Sequence, residues 1–123
     1  MRDGDRVALW SPPLSWTTDA LGVTARVSRR KLAAPCDVVV AFVRSHSRLE
    51  ALAADLASAI TPDGMAWVAW PRRAAGHTSD VTDHVTREVL LSLGLVDVKV
   101  AMLDEDWSGL RYVWRSERRA GLR

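Results

Sequence analysis

Cysteine is almost missing from this chain: Cys36 is the only one in 123 residues, so no intrachain disulfide can form. A catalytic thiolate needs a helix N-terminus or a cationic partner. Cys36 sits in Ala34-Pro35-Cys36-Asp37 with neither nearby, and reads as a small, partly buried side chain. Lysine is scarce too, with Lys31 and Lys99 the only two among 17 basic residues. No apolar run approaches the roughly 20 residues of a membrane span. No hydrophobic region follows Met1-Arg2-Asp3-Gly4-Asp5, so a secretory leader is not expected and the cytoplasm is the expected compartment. The three histidines, His46, His77 and His84, offer neither an i, i+4 pair nor an HExxH motif. That excludes the familiar metal-ligand spacings. Repeats and low-complexity tracts are absent as well.

What is present suits one ordinary domain: 48% hydrophobic and 26% charged residues, with a net charge of +2. Residues 1–115 are expected to form a single α/β domain and 116–123 a polar, frayed tail. Arg6 to Trp10 reads as a first strand, stopped by Ser11-Pro12-Pro13. Leu14 to Leu21 can make about two helical turns before Gly22. Val23 to Val27 alternates as a half-buried strand. Asp37 to Val43 (DVVVAFV) is continuously apolar and β-branched, as a strand covered on both faces should be, and is expected at the centre of the sheet. It should lie between the Arg6–Trp10 and Met65–Trp70 strands.

Ser47 and Glu50 have capping-box spacing, and Leu49, Leu52, Ala53, Leu56 and Ile60 form a helical stripe over 48–60. Thr61-Pro62-Asp63-Gly64 reads as a turn. Asp80 is placed to cap a second helix with the stripe Val81, Val85, Val89 and Leu93, stopped by Gly94. Val96, Val98, Val100 and Met102 alternate as a strand. Asp104 to Gly109 reads as a turn, and Leu110 to Arg115 as the second strand of an antiparallel hairpin.

Strand–helix–strand alternation implies parallel strands with right-handed crossovers. A strand opening on Asp37, the Pro62-Asp63-Gly64 turn, a helix ending in Gly94-Leu95 and a closing strand pair resemble the C-terminal half of a class I methyltransferase. The resemblance implies a small, mostly parallel, three-layer α/β sheet, Rossmann-like and methyltransferase-like, with a C-terminal antiparallel hairpin. Asp37 to Ser45, Gly64 to Arg73, Thr78 to Thr82 and Asp106 to Arg111 also resemble a family of small bacterial, mainly actinobacterial, domains of unknown function with a truncated core of this kind. That likeness implies the fold and no reaction.

In such a sheet ligands bind beyond the C-terminal strand ends, where strand order reverses. Three loops should meet there: Ser11-Pro12-Pro13, Arg44-Ser45-His46 and Pro71 to Ser79. A glycine-rich first turn lets a cofactor approach the backbone, and an acidic residue after the second strand holds the ribose. Here two prolines and Ser28-Arg29-Arg30 take those places, which argues against the usual mode of binding adenosylmethionine. The rim is cationic instead. Arg44, Arg72 and Arg73, with His46, His77 and Thr78, form a candidate site for an anion or a protein partner, because guanidinium groups grip phosphate and carboxylate in bidentate fashion.

Six tryptophans are many for this length. Trp67 and Trp70, three apart, should point to opposite faces of their strand. Trp16 and Trp107, in or beside loops, are candidate partner anchors. The reading that follows is a non-enzymatic binding or regulatory domain, with no catalytic residue, metal or cofactor assigned. The alternative is a degenerate adenosylmethionine-dependent methyltransferase or small-molecule enzyme. Nucleic-acid binding, resting on Arg29-Arg30-Lys31, Arg72-Arg73 and the arginine-bearing tail, is a third reading. Its aromatics are not interleaved with those bases as a stacking platform requires.

Overall fold

The computed structural model describes residues 6–11, 26–28, 35–72, 76, 79–103 and 106–116. The elements run β1 (Arg6–Trp10), β2 (Arg26–Ser28), β3 (Cys36–Phe42), α1 (His46–Ser58), β4 (Ile60–Pro71), α2 (Asp83–Leu91), β5 (Leu95–Met102) and β6 (Trp107–Trp114). They build one six-stranded sheet in the order β2-β1-β3-β4-β6-β5. The first four strands of that order are mutually parallel, and β6 is antiparallel to both β4 and β5. The expected α/β class, the mostly parallel sheet and the closing hairpin are all present. The helix expected over Leu14–Leu21, Trp16 within it, and most of the Val23–Val27 strand lie outside the described residues.

The unbroken apolar run of β3 explains its central place between β1 and β4. Val38, Val39, Val40 and Ala41 are fully buried, because both faces of the strand are covered. The alternation splits the core in two. Val39, Ala41, Val68 and Trp70 face the cluster that includes Leu49, Leu56 and Leu90 of the helices. Val7, Leu9, Val38, Val40, Phe42 and Trp67 form the cluster on the other face. Trp67 and Trp70 therefore do point to opposite faces.

Thr61–Gly64 departs from a simple turn. β4 is extended from Ile60, and the register steps from Cys36↔Ile60 to Val38↔Met65, so the extra residues of β4 bulge outward against β3. Gly64 is needed there, because a Cβ would come within 2.8 Å of the Asp37 carbonyl oxygen and 2.8 Å of the Thr61 hydroxyl.

Both helix starts also differ from expectation. The cap of α1 is Ser45, in extended conformation, whose Oγ accepts the Arg48 N–H at 3.2 Å. Ser47 lies inside the helix, so no Ser47/Glu50 capping box forms. The cap of α2 is Thr82, whose Oγ1 accepts the Val85 N–H at 3.2 Å. Asp80 instead accepts the His46 N–H at 2.8 Å and thus caps the first helix across space. Within α2 the buried residues are Thr86 and Leu90, with Val85 and Val89 only partly buried; of the expected stripe, Val81 is buried just ahead of the helix and Leu93 partly buried just beyond it. A period count over apolar residues misses Thr86 because its side chain is polar.

Thr86 is tolerated at full burial because its hydroxyl donates to the Asp83 carbonyl at 2.9 Å and meets the Tyr112 hydroxyl at 2.9 Å. Burial pushes the Tyr112 hydroxyl up from 10.0 to about 12, against the downward pull of the Thr86 hydrogen bond. The unfolded chain releases this proton near pH 10.0 whereas the folded chain keeps it to about 12. Folding therefore binds a proton across that window, and stability falls as pH rises through it. Alkaline urea titrations should show this decline in the wild type and a smaller one in Tyr112→Phe. An identical decline in both would assign it to other groups.

The last two strands pair as a hairpin, but β6 starts at Trp107, inside the expected turn, because the Leu103 N–H closes the connection on the Trp107 carbonyl at 2.8 Å. Of the apolar residues of β5 only Leu95 is fully buried. β5 is an edge strand with a bulge between Asp97 and Lys99, and Val98, Val100 and Met102 are exposed.

Candidate functional site

The sheet order puts a reversal at β1. The chain passes from β1 to β2 on one side and then returns to β3 on the other. The crevice beyond the C-terminal ends of β1 and β3 is thus the place where this architecture accepts ligands. On the β1 side stands Ser11, exposed and in the left-handed region at φ 55°. A non-glycine residue held there stores strain, and such strain gathers at ligand-binding turns.

On the β3 side the chain leaves through Arg44, Ser45 and His46. The Ser79 hydroxyl donates to the Arg44 carbonyl at 3.0 Å, and the Val81 N–H donates to Ser79 Oγ at 3.1 Å. With the Asp80 contact on the His46 N–H, these bonds stitch residues 79–81 onto the exit of β3. A carboxylate at the start of α1 also complements the helix dipole, so that N-terminus is already satisfied.

The side chains of Arg44 and His46 part company. The Arg44 guanidinium lies 5.0 Å from the centroid of the Trp107 ring. That ring is buried, at 6% exposure, and meets Phe42 edge-on at 5.0 Å and 87°. His46 turns the other way: its Nε2 is 2.9 Å from Glu50 Oε1, along the groove of about 470 Å³ between α1 and α2. That groove, lined also by Ala53, Glu88, Val89 and Leu93, sits on the helix layer and not in the strand-end crevice. A second depression of about 400 Å³ lies near Ile60, Pro62 and Trp114, at the opposite end of β4.

Arg72 leaves β4 at the same edge as Arg44, half-buried, with its N–H donating to the Asp106 carbonyl at 2.8 Å. Arg73, His77 and Thr78 lie outside the described residues. Trp107 cannot serve as an exposed anchor. It is a core residue paired with Pro71 across β4 and β6, and its face already carries Arg44. The sequence does not mark Ser11 or Asp80 individually as parts of a site. Ser11 stands in a named loop but gives no signal of its backbone angle. By sequence Asp80 reads only as a cap for the helix that follows it.

Cys36 is 2% exposed, and burial raises its thiol above the ordinary value, so it fits an inert packing role. Among the described residues no group of three or more histidine, cysteine, aspartate or glutamate side chains could hold a metal ion. Among them, too, no helix is long and apolar enough to cross a membrane.

The fold defined by this strand order and this crevice is that of the class I methyltransferases. Magnesium protoporphyrin IX methyltransferase from Synechocystis PCC 6803, with bound SAM, superposes with a TM-score of 0.64 at 11% identity, covering 93% of this chain and 71% of that one. Fibrillarin from Aeropyrum pernix with bound S-adenosyl-L-methionine gives 0.56 at 13% identity, covering 91% and 67%. The ribosomal protein L11 methylase from Lactobacillus delbrueckii subsp. bulgaricus gives 0.56 at 12%, covering 92% and 71%. No family model and no curated protein sequence matches the chain. At these identities the likeness is one of fold.

The expectation of a non-enzymatic binding or regulatory domain does not stand beside these findings. Several structures sharing the fold are methyltransferases by name, and the alternative, a degenerate adenosylmethionine-dependent methyltransferase or small-molecule enzyme, fits better.

Proposed function

We propose that this chain is an adenosylmethionine-dependent methyltransferase-like protein whose cofactor contacts have been reduced and rebuilt. The observation that carries the reading is the left-handed turn at Ser11, at the strand reversal of a methyltransferase-fold sheet. A glycine turn serves such a site by taking positive φ and admitting the ligand to the backbone. Ser11 adopts that angle without being glycine. The fit is weaker at β2, which ends at Ser28 and continues into Arg29-Arg30 with no carboxylate for a ribose.

When bound, adenosylmethionine would supply an electrophilic sulfonium methyl group, whose carbon an acceptor nucleophile would attack while the C–S electron pair leaves on the sulfur of adenosylhomocysteine. The chain's part is to position: Ser11 on one wall of the crevice, and on the other the exit of β3 held by Ser79 and Asp80. The resemblance to small bacterial, mainly actinobacterial, domains and a cytoplasmic location belong to the same proposal.

Calorimetry on the full chain with adenosylmethionine and adenosylhomocysteine tests it. Saturable binding is expected to both. Ser11→Gly should bind at least as well as wild type, because glycine takes positive φ freely, whereas Ser11→Val should bind more weakly. No heat with either ligand at millimolar concentration would defeat the reading.

A further inference from the structure

We infer that the second ligand of this crevice, the methyl acceptor, carries a carboxylate or phosphate, and that Arg44 is the residue that grips it. This rests on the methyltransferase reading, and it assigns the acceptor's chemical class. Arg44 leaves β3, the strand that borders the reversal, and is exposed. Its guanidinium is nevertheless held in place, 5.0 Å from the centroid of a Trp107 ring that is itself wedged against Phe42.

A guanidinium held over an indole ring by a cation–π contact loses less entropy when an anion docks, and its N–H donors remain available to that anion. Arg87 is spent on Asp83 and Asp97, at 3.1 and 3.0 Å. Arg44 has no ion-pair partner among the described residues. The neighbouring helix start does not compete for an anion, because Asp80 occupies its first N–H. Arginine also suits the task better than lysine, since its fork matches both oxygens of a carboxylate or phosphate.

The test follows the arginine Nε–H resonances of the full chain by NMR at constant ionic strength. Inorganic phosphate and malonate are titrated separately, each with and without adenosylhomocysteine. Saturable movement of the Arg44 signal by at least one of the two is expected, and the stronger tells phosphate from carboxylate. Arg44→Gln should weaken that anion about tenfold or more, as charge-assisted hydrogen bonds imply, with adenosylhomocysteine affinity unchanged. Arg44→Lys should recover only part of the loss.

Adenosylhomocysteine binding without any anion response at Arg44 would overturn the inference and leave the methyltransferase reading standing. An anion response without adenosylhomocysteine binding would support an Arg44 anion site and overturn the methyltransferase reading, and with it the acceptor assignment. An unchanged anion affinity in Arg44→Gln would sink the inference whatever else binds.

Discussion

A Leu110→Ala variant is expected to lose about 2–5 kcal/mol of stability, the range for truncating a buried leucine where neighbours cannot collapse into the gap. Leu110 is fully buried in β6, between Val68 of β4 and Val100 of β5. Its side chain belongs to the helix-facing core beside Leu90 and Tyr112. Strands on both sides are hydrogen-bonded to β6, so the backbone has little freedom to close the cavity. Urea unfolding followed by circular dichroism measures the loss. Val100→Ala, on the edge strand at 60% exposure, is the control and should stay within about 0.5 kcal/mol of wild type. Equal effects of the two changes would mean that β6 is not the inner strand of the hairpin.

Trp107→Ala should be costlier, about 3–5 kcal/mol, because a buried indole is removed whole. It would take away the edge contact of Phe42 and the surface on which Arg44 rests. Trp107→Phe should recover much of the loss, since a smaller ring still fills part of the space and still offers a face to the guanidinium. Comparing Trp107→Ala with and without Arg44→Gln isolates the contact: the double variant should be less destabilised than the sum of the two singles. If Trp107→Ala costs no more than an exposed substitution, Trp107 is a surface residue and Arg44 has no platform.

Local pattern determined a good part of this protein. The β-branched run of residues 37–43 can be satisfied only by a strand buried on both faces, so its central place was legible from sequence. The same is true of the two helices, of the opposite facing of Trp67 and Trp70, and of the closing hairpin, because periods of 2 and 3.6 are properties of neighbouring residues. Tertiary structure alone decided the rest. Which strand of the hairpin lies against β4 depends on packing between distant segments. Setting β6 inside buried Trp107 and left Val98, Val100 and Met102 at the edge. Asp80 could cap either helix by type, and only the approach of residues 79–81 to the end of β3 selected His46. The left-handed angle of Ser11 and the seating of Arg44 on Trp107 belong to the same class. A backbone angle at a strand end and a contact between residues far apart in the chain are set by how strands are ordered, and strand order is not encoded in any single stretch of residues.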